Sequence, residues 1–314
     1  MKNYNIYFFG SNRSFVSSVF LKFLIKFVKT NPQFNIRYIV NTDIYYNLNQ
    51  KNLIYKLKSK IKFLLFLIFN RKFYSYEKRC HDEYEKSLNI RSQAINNQIK
   101  YVQFSDFQSN IKIKNSLLVN IGGEKIFSKS FLKRFLISIN YHNAELPRFR
   151  GANSNRFSIF HNKIYTYFSF HYINSKIDKG FVFYKKKIKL KKNVKYHLFY
   201  ELEKIQEASK NIKKILSSAL NNKKKKHLPL KKGNYYPLKY YESFFTNINK
   251  FSFKKIKRFM DIFGGIYYMG HFITGIKKTD KGIKIKDCDI KITQMKFFPV
   301  LLYKLFISLS IIRR

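Results

Sequence analysis

The chain has no tryptophan, two cysteines, five prolines and eleven glycines among 314 residues, and 17 acidic residues against 63 lysines and arginines. Each shortage excludes something. Cys80 and Cys288 have no close cysteine neighbour. The sequence therefore offers no disulfide framework, no redox pair and no thiolate half of a metal site, and a reducing, cytoplasmic setting fits. No group of His, Cys, Asp and Glu has metal-ligand spacing, so no metal is expected. The glycines form no dinucleotide fingerprint behind Gly10. Long apolar runs are also scarce. Ile61 to Phe69 is too short to cross a bilayer. Phe297 to Ile312 is longer but carries Pro299 and Lys304. It reads as a buried or surface-lying helix, with contact to an anionic membrane as the other reading. The opening residues, with a short apolar run ending in Gly10, lack the features of a signal peptide.

The charge is unusual: +46 net at pH 7. Such a field attracts nucleic acid or an anionic membrane. A second reading needs no partner. Lys, Asn, Ile, Phe and Tyr share AT-rich codons, and an AT-rich genome enriches all of them together. The charge is also spread along the chain rather than gathered in one tail.

The length suits two compact domains, or one large domain with an appendage. Tyr4 to Phe9 reads as a buried strand, ended by Gly10. Ser11 and Asn12 offer caps for a helix over about Arg13 to Lys29, in which Val16, Phe20, Phe23 and Phe27 recur at helical spacing. A second strand follows over Ile36 to Val40, so the order is βαβ and the sheet parallel. Residues 47–95 read as a basic helical insertion. Leu117 to Ile121 is another buried strand, followed by Gly122-Gly123; a helix over Ser128 to Phe135 leads into a strand over Leu136 to Tyr141. The fold class is thus α/β, an open, mostly parallel, Rossmann-like sheet, with ligands expected beyond the strands' carboxyl ends at Gly10, Gly122 and His142. Tyr165 to Tyr172 and Phe181 to Leu190 read as extended, and Glu201 to Leu220 as a helix. The expected division is a catalytic domain over 1–220, a linker over 221–233 and a small C-terminal domain over 234–314, with a helix near Phe253 to Phe263. There is no internal repeat.

One segment carries chemistry: INYHNAELPRFRGANSNRFSIFHN, from Ile139 to Asn162. Asn140 and His142 are two apart at a strand end, so an amide and an imidazole face the same side. N-x-H followed by Leu146-Pro147-Arg148-Phe149-Arg150-Gly151 resembles the signature of the formyltransferases that use 10-formyltetrahydrofolate. That superfamily includes methionyl-tRNA formyltransferase, glycinamide ribonucleotide formyltransferase and the amino-sugar N-formyltransferases. Phe170 to Gly180, FHYINSKIDKG, resembles the family's second motif, with Asp178 standing 36 positions after His142.

The resemblance implies formyl transfer to a primary amine, with 10-formyltetrahydrofolate as formyl donor. It implies Asn140 and a protonated His142 as donors to the developing oxyanion, and Asp178 as the group that orients His142, keeps it charged and helps remove the amine's proton. It also implies a pterin pocket around Ile121, Gly122, Gly123 and Ile126 and the loop Ile173 to Ile177, recognised largely through backbone groups. Gly10-Ser11-Asn12 reads as a contact for the acceptor's phosphate or as the sheet end. His171 falls in the second motif as a pocket wall, and His161 is a weaker candidate. Three positions depart from the family's pattern: Tyr167, Ser154 and Glu145. The expected acceptor is a small amine such as a nucleotide-linked amino sugar. Initiator tRNA is the alternative, and a non-catalytic folate-binding member is a third reading.

Overall fold

The computed structural model describes residues 3–43, 82–83, 86–107, 115–162, 164–192, 196–226, 228, 230, 233–236 and 252–263, and the backbone of four short strands between 266 and 285. Most of the 47–95 insertion, the run 61–69, the segment 297–312, both cysteines, His81 and His227 lie outside the described residues.

The first strand, β1 (Tyr4–Gly10), is buried along most of its length. Its side chains alternate: Ile6 and Phe8 enter the main core, while Tyr7 and Phe9 enter an aromatic cluster with Phe107, Phe127, Phe131 and Phe135 on the other face. A strand covered on both faces reads as one continuous apolar run, which is the pattern of YNIYFFG. Helix α1 (Phe15–Thr30) follows. It is capped by Ser14, whose side chain accepts from the Ser17 amide, and not by Ser11 or Asn12. Ser11 Oγ instead donates to Asp43, and Asn12 donates to the Tyr101 hydroxyl at 2.7 Å and accepts from the Arg91 amide at 3.1 Å. Those two side chains tie the sheet end together.

The remaining sheet strands are β2 (Phe34–Asn41), β3 (Lys100–Gln103), β4 (Ser116–Ile121), β5 (Ile137–His142), β7 (Tyr165–Tyr172) and β8 (Val182–Lys189), with the two-residue β6 (Phe149–Arg150) outside the sheet. Their order is β3-β2-β1-β4-β5-β7-β8. From β3 to β5 all pairs are parallel; β5–β7 and β7–β8 are antiparallel. The order reverses between β1 and β4, so the switch-point crevice opens beyond Gly10 and Gly122. The expected α/β sheet is present. The short edge strand β3, invisible as a pattern in KYVQ, extends it.

Helices α2 (Ile90–Asn96) and α3 (Lys129–Leu132) are short and begin at Asn89 and Ser128 caps. Helix α4 (Ser154–His161) follows the LPRFRG turn. The helix expected over Glu201 to Leu220 is two helices, α5 (His197–Lys210) and α6 (Ile212–Asn221), broken at Asn211, whose side-chain amide donates back to the Glu207 carbonyl at 2.8 Å. Leu202, Ile205, Ala208, Ile215 and Leu216 lay both helices against α1 and the main core.

A further cluster joins later residues to the LPRFRG region. Strand β9 (Asn234–Tyr235) pairs with β6, and buried Tyr236 stacks on Phe157 at 4.8 Å and on Phe149 at 5.7 Å. Helix α7 (Phe253–Phe263) buries Ile256, Phe259, Met260 and Ile262 in the same cluster as Phe157, Phe160 and Phe199. Arg258 donates to the carbonyls of Phe160 at 2.8 Å and Ile159 at 2.7 Å, and to that of Asn162. Beyond it run two antiparallel pairs, β10 (Ile266–Tyr268) with β11 (His271–Ile273), and β12 (Ile276–Thr279) with β13 (Gly282–Ile285).

Candidate active site

The site begins as a row of polar side chains across three neighbouring strands. In the parallel pair β4–β5, Asn120 stands beside Asn140; in the antiparallel pair β5–β7, Asn140 stands opposite His171. Side chains in register on one face of a sheet meet. Asn120 Nδ2 donates to Asn140 Oδ1 at 2.8 Å. Asn140 Nδ2 lies 3.1 Å from His171 Nε2, while His171 Nδ1 donates to the Tyr172 carbonyl at 2.9 Å. That last bond sets the tautomer: Nε2 carries the lone pair and accepts from Asn140. One hydrogen of the Asn140 amide is thereby used and one is left over.

Two residues on, His142 shares the face of Asn140. Its Nε2 donates to the Phe149 carbonyl at 2.7 Å, and its Nδ1 lies 3.4 Å from Asp178 Oδ1. Asp178 has φ of +52°, a left-handed conformation disfavoured for a residue with a Cβ. Its other oxygen holds it there by accepting from the Gly151 amide at 2.8 Å. Gly151 itself sits at φ +90°, where an added Cβ would meet the Tyr236 carbonyl at 2.8 Å. The glycine of LPRFRG thus presents its amide to the aspartate of the second motif.

Charges follow from this geometry. Burial works against a charged His142 ring, but the Asp178 carboxylate and the Phe149 carbonyl outweigh it and raise its pKa, with Lys204 opposing. Burial alone would raise the Asp178 pKa, but His142, His171 and the Gly151 amide hold it well below the usual carboxylate range. His171 goes the other way. Burial and the neighbouring His142 outweigh Asp178 and push it down to about 4, so it is neutral at pH 7. Although its Nε2 is 3.6 Å from Asp178, it makes no ion pair in that state. The ion pair is His142 with Asp178.

Asn140, His142 and Asp178 therefore come together. His171 is more than a wall, because it fixes the Asn140 amide. Asn120 went unnoticed in the sequence, since an asparagine in a buried strand gives no motif; its signal was the polar interruption of SLLVNI. The six residues expected around the pterin divide. Ile121 is 0% exposed in the main core, and its carbonyl accepts from Ser17 Oγ, so its side chain is not available to a ligand. Ile173 packs against the aromatic cluster. Ile126 and Ile177 are 69% and 45% exposed. Gly122 has φ of +65°, and an added Cβ on Gly123 would lie 2.1 Å from Asn120 Oδ1. That Oδ1 is buried and has no hydrogen-bond partner. His161 lies among Phe149 and Phe157 instead. Among the described residues no His, Cys, Asp and Glu group is placed to hold a metal ion, and no helix is long and apolar enough to cross a membrane.

An amide donor and a buried imidazole–carboxylate pair at the carboxyl edge of a doubly wound sheet are groups that can stabilise an oxyanion and move a proton. The sequence comparison finds one family: residues 80–212 match the formyl transferase family model. No curated protein gives a significant match. Among solved structures the chain is similar to a sugar N-formyltransferase from Shewanella sp. FDAARGOS_354 (TM-score 0.51, 15% identity, covering 90% of this chain and 96% of that one). It is also similar to an N-formyltransferase from Helicobacter canadensis in complex with folinic acid and dTDP-3-aminofucose (TM-score 0.50, 15% identity, 88% and 89%), and to a 4-N formyltransferase from Francisella tularensis (TM-score 0.50, 14% identity, 90% and 95%). These likenesses are of fold.

Proposed function

We propose that the chain transfers a formyl group from 10-formyltetrahydrofolate to the primary amine of a nucleotide-linked amino sugar. The observation that carries this reading is the convergence of the Asn140 amide with the His142–Asp178 pair, 3.4 Å apart, next to the Asn120 that Gly123 approaches. The residues present suit a pterin. The unpartnered, buried Asn120 Oδ1 is an acceptor for the N–H groups such a ring carries. The amino-sugar acceptor is supported by the neighbours of like fold, one of which holds folinic acid and dTDP-3-aminofucose. Formyl transfer is assigned to residues 1–220, with 234–314 as an appended unit beyond the 221–233 linker.

When bound, the folate would supply a formyl carbon: the amine's bond to it would form, the carbon's bond to the folate nitrogen would break, and tetrahydrofolate would leave with that nitrogen receiving the proton the amine gives up by way of Asp178. The chain's own residues do the rest. Asn140 is only partly buried, and its free amide hydrogen donates to the formyl oxygen as negative charge develops there. His142 has both nitrogens engaged, so in this arrangement it contributes chiefly its positive charge, held on the ring by Asp178. Asp178 also takes the amine's surplus proton, directly or through a water.

A screen of acceptor amines with the formyl donor, read by mass spectrometry for gain of one formyl group, tests the reading. Amino-sugar nucleotides are expected to be formylated. Formylation of charged initiator tRNA instead overturns the acceptor and leaves the chemistry; no transfer to any amine overturns both. Asn140→Ala is expected to lower kcat about 10²–10³-fold, as for loss of an oxyanion donor. His142→Ala should lose about 10²–10⁴-fold. Wild-type turnover in either variant discards the mechanism.

A further inference from the structure

Lys204 lies on α5, far from both motifs in sequence, and is 0% exposed. Lysine is almost never buried so fully without a carboxylate partner, because desolvating an ammonium is costly. Here the two acceptors at Nζ carry no charge: the backbone carbonyl of Asn143, at 3.0 Å, and Oδ1 of Asn155, at 2.6 Å. Asn143 is the residue after His142, just past the end of β5. Asn155 is in the first turn of α4, the helix that follows Gly151, and its own amide donates to the His197 carbonyl at the start of α5. One side chain thus joins the chain beyond His142 to the helix beyond Gly151, whose amide holds Asp178. This tie joins the site's two halves in addition to the bonds of His142 to the Phe149 carbonyl and of Asp178 to the Gly151 amide.

We propose that Lys204 is a positioning residue of the site: it locks the backbone beyond His142 to α4. The proposal rests on the formyl-transfer reading for its effect on turnover, but not for its effect on His142. Charged groups bear on this arrangement from three elements. Glu201, one turn back on α5, favours the ammonium; His142 on β5 is repelled by it; Asp178 acts on His142 from the other side. Burial brings the Lys204 pKa down to about 7. Above that pH the amine is neutral, yet it keeps two hydrogens for its two acceptors. The tie therefore survives neutralisation, and only the repulsion of His142 is relieved.

Two variants separate the tie from the charge. Lys204→Met removes both. It is expected to raise the His142 pKa, read by NMR titration of the ring, and to lower kcat by as much as about 100-fold, the scale of a misplaced catalytic group, with KM little changed. Asn155→Asp keeps the acceptor for Lys204, gives up the amide's long bond to the His197 carbonyl, and sets a carboxylate against the ammonium. It is expected to raise the His142 pKa while kcat stays within about threefold of wild type on the scale where misplacement costs far more. The NMR readout needs no substrate, so it stands even where the wild-type protein formylates no amine tested. If Lys204→Met does not fold, Asn155→Asp decides the charge effect alone. An unmoved His142 titration in either folded variant overturns the proposal, as does undiminished turnover in Lys204→Met where wild type is active.

Discussion

His171 shows how a single neutral ring governs both order and stability at this site. Its pKa falls from the ordinary 6.5 to about 4 on folding. Between those values the unfolded chain holds a proton on this residue that the folded chain does not, so acid favours unfolding and stability rises with pH across that window. The size is about 3 kcal/mol, since each tenfold change in proton affinity is worth about 1.4 kcal/mol. The stabilisation from His142, whose pKa is raised, is lost only as pH rises above 6.5, and that from Asp178, whose pKa is depressed, only as pH falls below 3.8; His161, whose pKa is also lowered by burial and nearby cations, adds its own part inside the window. Urea unfolding from pH 4.5 to 6.5 is expected to show a slope in the wild-type chain that shrinks in His171→Asn by about that free energy, leaving the part due to His161. An equal slope in both would place the acid sensitivity elsewhere. The types needed for this chemistry, Asn, His and Asp, were legible as N-x-H and D-K-G. That Asn140 is held from both sides, by Asn120 and His171, was not, because it depends on which residues stand in register.

At the scale of elements, α7 explains why the LPRFRG region keeps its shape. Its apolar face was readable in FKKIKRFMDIF from helical spacing alone, and the helix lies where that spacing predicts. Its partner was not readable. The face covers α4 and Phe199, and Arg258 gathers the carbonyls at the end of α4, the backbone groups that a helix leaves without internal partners. Arg258→Met keeps the stem and removes the donors. It is expected to cost about 2 kcal/mol, the scale of hydrogen bonds to a charged group. A shifted urea midpoint with an unchanged m-value checks this. An unchanged midpoint would mean that water satisfies those carbonyls equally well. The break between α5 and α6 at Asn211 was hidden for a related reason: apolar residues continue at helical spacing across it, and only backbone geometry interrupts the helix.

For the molecule as a whole, +46 charges on 314 residues make self-repulsion part of the stability. Raising ionic strength from about 10 to 200 mM shortens the Debye length from about 30 Å to under 10 Å. The Tm is expected to climb over that range, by about 2–4 °C for each kcal/mol of repulsion screened. A flat Tm would show that the charges are too dispersed to oppose folding. The amino-acid order by itself determined the alternation of strands and helices, the apolar run of β1, and the identity of the three groups proposed for catalysis. The first two are written in periodicities and spacings of a few residues; the three groups stand out through the resemblance of two motifs whose His142 and Asp178 are 36 positions apart. Tertiary structure alone decided the row Asn120–Asn140–His171, the grip of Gly151 on Asp178, and the burial of Lys204 against Asn143 and Asn155. Strand register and helix docking arise from contacts between residues tens of positions apart, and no local pattern encodes which of them meet.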